Sequence, residues 1–158
     1  MFDPNQHHRR SVRFAGYDYR NAGAYFVTIC AHHKRPVFGR CENGVVQLHV
    51  YGQIVAEEWE RTAQSREYCS LDEWIVMPNH FHAIILLTGN HGWDAAASGE
   101  VNGFSRPVTG SLSTVIGAFK SAVTRRVNAH RAARDWPPVE VWQRGFYERI
   151  IRNEQELN

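Results

Sequence analysis

The sequence contains few cysteines, and their spacing matches no common cysteine-based site. Cys30, Cys41 and Cys69 lie far apart, and no Cys-x-x-Cys pair occurs in the chain. The spacing therefore indicates neither a closed disulfide framework nor a cysteine zinc site. Reduced thiols in the cytoplasm are the simplest account of these residues.

Long apolar runs are also missing. The first ten residues lack the apolar stretch of a signal peptide, and no run approaches the roughly 20 residues that a membrane-spanning helix needs. We therefore expect a soluble, cytoplasmic protein. Its 158 residues suit one domain with a sizeable core, which we place at residues 21–158, after a basic arm at residues 1–20.

The chain carries little net charge, but its positive charge is concentrated. The formal net charge is +2. The segment from Ser111 to Arg134 contains no acidic residue and five basic ones, which are Lys120, Arg125, Arg126, Arg131 and Arg134. Such a local excess can bind phosphate even when the whole chain is nearly neutral. A solvated helix face is the alternative interpretation.

The first half of the chain alternates between strand and helix patterns. Residues 25–30 are rich in aromatic and β-branched side chains and predict a strand. Residues 32–43 predict a loop, and residues 45–50 a second short strand. Apolar residues at helical spacing predict a helix over 52–63. Two apolar runs, 71–77 and 81–87, are separated by a short Pro-Asn-His junction and predict an antiparallel hairpin.

The second half predicts a linker, a helix and an extended segment. Residues 89–110 are rich in glycine and small polar side chains and predict a mobile linker. Ser111 or Ser113 can cap a following helix, whose apolar stripe at helical period is formed by Leu112, Val115, Ile116, Phe119, Val123 and Val127. Residues 139–151 are predicted to be extended. The order of these elements indicates an α+β fold, in which helices pack on one face of an antiparallel sheet.

Two histidines provide the strongest chemical signal. His80 and His82 alternate on a predicted strand, so their side chains project from the same face while Phe81 faces the core. Two imidazoles in this arrangement can chelate one divalent cation, with a third ligand supplied from elsewhere. Such a cation would polarise a scissile phosphate. A chance pair remains an alternative, because the chain has nine histidines.

Several segments together resemble one enzyme family. The run at residues 77–82 (MPNHFH), followed by an aliphatic strand, resembles the histidine–hydrophobic–histidine (HUH) motif of single-tyrosine transposases. Residues 17–19 (YDY), 23–30 (GAYFVTIC), 119–121 (FKS) and 141–153 (VWQRGFYERIIRN) resemble the branch that is associated with repetitive extragenic palindromes. These matches occur in the family's order along most of the chain.

The resemblance implies a fold, a metal and a reaction. It implies a ferredoxin-like antiparallel sheet, and Mg²⁺ or Mn²⁺ bound by His80 and His82. The implied substrate is a single-stranded DNA hairpin, and the implied assembly is a monomer or a homodimer. In this family a tyrosine hydroxyl attacks the phosphate, leaving a 5′-phosphotyrosine linkage and a free 3′-hydroxyl, so that the strands can be rejoined.

The nucleophile is where this sequence departs from the family. The resemblance places the catalytic tyrosine on a helix that follows the Trp-Gln-Arg strand. Asn153 and Glu156 form a capping box for such a helix, but the sequence ends at Asn158. We therefore expect the tyrosine to lie beyond Asn158, so that this chain binds DNA and cleaves it poorly. Tyr147 is a weak substitute.

Single-stranded DNA is bound by basic grooves and aromatic platforms. The residues predicted to contact DNA are Arg9, Arg10, Arg13, Lys120, Arg125, Arg126, Trp142, Arg144, Arg149 and Arg152. For Trp142 and Phe146, a place in the core is an equal alternative. Two other functions stay open, namely a binding-only regulator of hairpins and a metal hydrolase that activates water at His80 and His82.

Overall fold

The computed structural model describes residues 22–88 and 110–151. The predicted arm at residues 1–20, with Arg9, Arg10 and Arg13, lies outside the described residues. So do residues 89–109 of the predicted linker and the segment from Arg152 onward, which includes the Asn153 cap.

Four strands form one antiparallel sheet. In chain order they are β1 (Gly23–Cys30), β4 (Cys69–Met77), β5 (His80–Leu87) and β6 (Tyr147–Ile151). Their order across the sheet is β4-β5-β1-β6, and each neighbouring pair is antiparallel. Two helices, α1 (Val50–Gln64) and α2 (Leu112–Ala132), connect these strands. The predicted α+β class with an antiparallel sheet is confirmed.

The helices cover one face of the sheet because both kinds of element are amphipathic. Along β5 buried residues alternate with partly exposed ones, so Phe81, Ala83, Ile85 and Leu87 face the helices. The helix α2 buries the predicted stripe, and the hydroxyl of Ser111 caps its first turn by accepting from the Thr114 backbone N–H. At the centre of the core the ring of Phe81 lies 5.0 Å from Trp59 and 5.5 Å from Phe119, centroid to centroid.

Several predicted boundaries shift by one or two residues, and two predicted segments differ more from the structure. Part of the predicted loop at residues 32–43 is a strand, β2 (Gly39–Glu42), which pairs with β3 (Val45–Leu48) in a separate hairpin. Asn43 and Gly44 form its turn with φ values of 51° and 79°, and Asn-Gly favours this tight turn because both residues tolerate positive φ. Of the predicted extended segment 139–151, only β6 joins the sheet; before it, Trp142 forms an isolated bridge with Ala31.

Across residues 22–88 and 110–151, no helix combines the length and the apolar character that crossing a lipid bilayer would take.

Candidate functional site

His80 and His82 lie side by side on the sheet face that the helices leave uncovered. The turn at Pro78 and Asn79 joins β4 to β5 and places His80 at the start of β5. The imidazole rings are 4.5 Å apart, centroid to centroid, and nearly perpendicular at 76°. The predicted projection of both histidines from one face, with Phe81 in the core, is therefore observed.

Each imidazole is oriented by a hydrogen bond at Nδ1. The Nδ1 atom of His80 lies 2.7 Å from Oδ1 of Asn79. Because a carboxamide oxygen only accepts, Nδ1 carries the proton and Nε2 holds the lone pair. The Nδ1 atom of His82 lies 2.8 Å from Oγ1 of Thr28 on β1, a hydroxyl that can accept in the same way. Histidines that ligate metals are typically held by such a second hydrogen bond.

The local electrostatics favour the neutral imidazole, which is the form that binds metal. Burial lowers the pKa of His80. Burial also lowers the pKa of His82, and a positive charge on His80 would lower the pKa of His82 further. Both shifts favour the neutral imidazole, which carries a lone pair for a metal.

The pair fits two positions in the coordination sphere of a divalent cation. Imidazole nitrogen suits first-row divalent metals, and the two rings are close enough to share one ion. Among the described residues, no group of three or more histidine, cysteine, aspartate or glutamate side chains is arranged to hold a metal. The described part of the chain therefore supplies two such ligands, and other donors would have to complete the sphere.

The uncovered face extends across all four strands, and we call it the open face. Cross-strand partners in an antiparallel sheet point to the same side, so the strand register identifies its members. They are Ala24, Phe26, Thr28, Cys30, Ser70, Ile75, Met77, His80, His82, Ile84, Leu86, Tyr147, Arg149 and Ile151.

The open face has solvent-exposed rings beside the histidines. The ring of Phe26 is stacked on His82, with centroids 5.3 Å apart and planes at 25°, and Phe26 is 36% exposed. Tyr147 is 56% exposed and pairs with Thr28, which also pairs with His82. Arg149, also exposed, pairs with Phe26. The structure therefore brings four of the predicted site residues together here, namely His80, His82, Tyr147 and Arg149.

The predicted contacts on α2 lie in the helix layer. Arg126 bridges α2 to α1 by donating hydrogen bonds to the carboxylates of Glu57 and Glu58, the latter at 2.9 Å. The ammonium group of Lys120 donates to the carbonyls of Gln143 at 2.8 Å and Gly145 at 2.7 Å. Burial lowers the pKa of Lys120, although the nearby Cys30 opposes this shift.

The other residues predicted to contact DNA lie in the core, on the exposed surface or outside the described residues. Trp142 is only 8% exposed and packs against Phe38 and Phe119, with ring centroids 4.9 and 5.9 Å away. This burial favours a core role for Trp142 over the predicted contact with DNA. Arg125 is exposed on α2, and Arg144 is exposed in the turn before Gly145. Arg152 lies outside the described residues, as do the three arginines of the arm.

Three residues of the site were not singled out from the sequence. They are Asn79 and Thr28, which orient the histidines, and Phe26, which stacks on His82. Asn79 is adjacent to His80 in the sequence, so a search for second hydrogen-bond partners of ligands could have found it. Thr28 and Phe26 are more than fifty residues from His82, and only the strand register reveals their positions.

Comparisons with known proteins identify relatives in sequence and in structure. No protein-family profile matches the chain. An uncharacterized protein of Haemophilus influenzae is 34% identical over 152 residues, which cover 94% of this chain and 82% of that protein.

Two solved structures with a similar fold are described as transposases. A REP-associated tyrosine transposase bound to a REP hairpin matches with a TM-score of 0.53 and 17% identity over 85% of this chain. The chain spans 59% of the length of that protein. A Deinococcus radiodurans protein named as a candidate transposase matches with a TM-score of 0.52 and 14% identity, over 92% of this chain and 89% of that one. These likenesses show that the fold is one that transposases use.

Proposed function

The chain belongs to the family of the uncharacterized Haemophilus influenzae protein and has a transposase fold, and we propose that it binds single-stranded DNA hairpins and acts in the cleavage and rejoining of DNA strands. The observation that carries this proposal is the histidine pair on the open face. Each ring has Nδ1 within hydrogen-bond distance of a neighbouring oxygen, and the two ring centroids lie 4.5 Å apart.

The surroundings of the histidines suit a nucleic acid. Binding of single strands combines positive charge, which attracts phosphates, with exposed aromatic rings, on which bases stack. On the open face Phe26 and Tyr147 provide exposed rings, and Arg149 provides a cation beside Phe26. One of the structural relatives is bound to a REP hairpin, which supports a hairpin as the substrate.

The proposed chemistry is a reversible transfer of a phosphoryl group. A Mg²⁺ or Mn²⁺ ion held by His80 and His82 would polarise the scissile phosphate and stabilise its developing charge. A tyrosine oxygen forms a bond to phosphorus as the bond from phosphorus to the 3′ oxygen breaks. The tyrosine gives up its proton, and the departing oxygen gains one to become a 3′-hydroxyl. Attack by a 3′-hydroxyl on the phosphotyrosine reverses these steps.

The family resemblance implies a nucleophilic tyrosine on a helix that follows the Trp-Gln-Arg strand. Within the described residues, Tyr147 is the tyrosine that shares the open face with the histidines. It lies two strands from His82 in the same cross-strand row, a separation of about 10 Å between backbones. A chain that binds hairpins without cutting them would instead be a regulator, which is the second function that this site supports.

A binding experiment tests recognition. A fluorescently labelled hairpin with a single-stranded foot is titrated with the full chain in EDTA, and a fully paired duplex of equal length serves as the competitor. We expect tighter binding to the hairpin. Replacing Arg149 with alanine should weaken binding and reduce the magnitude of the salt slope by about one, whereas Arg40→Ala, on the β2–β3 hairpin, is the charge-matched control. Equal affinity for hairpin and duplex would contradict hairpin recognition.

A denaturing gel tests cleavage. The labelled hairpin is incubated with the chain and Mn²⁺, and a band that migrates with the protein reports a covalent adduct. A band that is lost in Tyr147→Phe would identify Tyr147 as the nucleophile. Hairpin binding without a band would favour the regulator for this chain. Turnover without any covalent band would favour a metal hydrolase.

A further inference from the structure

A second aromatic and cationic cluster lies outside the open face, just after the end of α2. Trp136 is 50% exposed, which is unusual for so large an apolar side chain. The guanidinium carbon of Arg131 lies 5.7 Å from the centre of the Trp136 ring, and that of Arg134 lies 6.0 Å from it. Both distances permit cation–π attraction. We call these three residues the Trp136 platform.

The backbone holds the Trp136 platform in a fixed geometry. Three residues after the end of α2, Asp135 adopts the left-handed region, at φ 55°, and the backbone N–H of Trp136 donates to the Arg131 carbonyl at 3.0 Å. This hydrogen bond across the helix end is the Schellman pattern. The tryptophan is therefore anchored at its backbone while half of its surface stays open to solvent.

Both arginines are oriented by groups that leave their positive charge unneutralised. Nε of Arg131 donates to the Pro137 carbonyl at 2.6 Å, and Nη1 of Arg131 donates to the Tyr51 hydroxyl at 3.0 Å. Nη1 of Arg134 donates to the carbonyl of His130 at 2.9 Å. No carboxylate among the described residues forms an ion pair with either guanidinium. Each guanidinium retains further N–H donors that can reach a phosphate.

A short connection links the platform to the strand beside the histidine pair. Val141 follows Trp136 by five residues, a reach of at most about 18 Å. The carbonyl of Val141 accepts from the backbone N–H of His32, and the backbone N–H of Gln143 donates to the Cys30 carbonyl, both at 2.9 Å. Cys30 is the cross-strand partner of His80. The side chain of Asn128 further ties this connection to α2 through two hydrogen bonds with the backbone of Val139.

We propose that the Trp136 platform is a second DNA subsite, in which an unpaired base stacks on Trp136 while Arg131 and Arg134 bind the flanking phosphates. This inference rests on the proposed DNA binding and adds to it a place for the single-stranded foot of the hairpin. Two cations that pair with no carboxylate of the described residues, beside an exposed ring, match a base with its phosphates, because stacking is tolerant of base identity and the charge is complementary. An apolar protein partner would match the ring alone and leave both charges without a counterpart.

The test compares binding of two hairpins in EDTA, so that no cleavage intervenes. One hairpin carries an all-thymidine foot and the other an abasic foot of the same length, with the same phosphates. We expect Trp136→Ala to weaken binding of the thymidine foot about 5-fold to 100-fold, the range that stacking of a base on an aromatic side chain gives. Binding of the abasic foot should be unchanged. Trp136→Phe should keep most of the affinity because it retains a ring.

The predicted phosphate contact of Arg134 is tested separately, with an exposed arginine elsewhere as the control. Arg134→Ala should reduce the magnitude of the salt slope by about one, whereas Arg61→Ala, an exposed residue near the far end of α1, should leave it unchanged. If the wild-type chain binds the hairpin and Trp136→Ala binds both feet as tightly as the wild type, the platform is overturned and the proposed function stands. If the wild-type chain binds no DNA, the proposed function fails, and the platform fails with it.

Discussion

Replacing Arg126 with alanine separates two roles that this residue can have. The sequence predicts a phosphate contact, whereas the structure places its guanidinium between two carboxylates of α1. The side chain of Glu58 is 11% exposed and that of Arg126 is 34% exposed, while that of Glu57 is 52% exposed. The bond to Glu58 is therefore the one that water screens least, and the bond to Glu57 contributes little.

The expected cost follows from this burial. A hydrogen bond between charged groups contributes about 1.5–3 kcal/mol. Glu58 keeps a second partner, Arg61, at 2.9 Å, so we expect Arg126→Ala to lower the free energy of unfolding by about 2 kcal/mol. For a domain of this size that corresponds to a decrease in Tm of about 4–8 °C. Urea unfolding followed by circular dichroism gives the free energy directly.

The neighbouring residue provides a matched control. Arg125 is exposed, and Arg125→Ala should change the free energy of unfolding by no more than about 0.5 kcal/mol. If Arg126 stabilises the contact between the two helices, its replacement destabilises the fold and leaves the salt slope of hairpin binding unchanged. A variant that unfolds like the wild type but loses about one unit of salt slope would refute this reasoning.

Three further predictions each concern one residue. Thr28→Val removes the hydroxyl beside Nδ1 of His82 and should weaken Mn²⁺ binding about 10-fold to 100-fold in calorimetry; unchanged affinity would mean that Thr28 does not orient a ligand. Lys120→Met removes two hydrogen bonds to the turn before β6 and should lower the free energy of unfolding by about 1–2 kcal/mol. A urea unfolding midpoint equal to that of the wild type would contradict this prediction. Asp135→Gly should raise that free energy by about 0.5–1 kcal/mol, because glycine adopts φ 55° without strain, and a lower Tm would argue against this.

Local periodicity made most elements predictable from the sequence. The stripe of α2 repeats at helical spacing, and all six of its predicted residues are buried in the structure. The alternation along β5 likewise predicted which side each histidine would face. The strand β3 was predicted, but its partner β2 was missed although Asn43-Gly44 is a strong turn signal, because Gly39 and the proline before it favoured a loop.

Long-range partners were not predictable in this way. The carboxylates that bind Arg126 lie 68 and 69 residues earlier in the chain, and no local pattern links them to α2. The burial of Trp142 depends on Phe38 and Phe119, which the fold brings to it from two other segments. The same holds for Thr28 and His82, which are 54 residues apart. A single sequence predicts where such side chains point more readily than what they touch.

The central claim is that the open face binds the DNA hairpin, and amide chemical-shift mapping tests it most directly. A ¹⁵N-labelled chain is titrated with the hairpin, and the perturbed backbone amides are assigned. The account predicts that the largest shifts occur at open-face residues, including Phe26, Thr28, His82 and Tyr147, while Glu57 on α1 changes little. Shifts concentrated on α1 and the outer side of α2, with the open face unperturbed, would contradict the account.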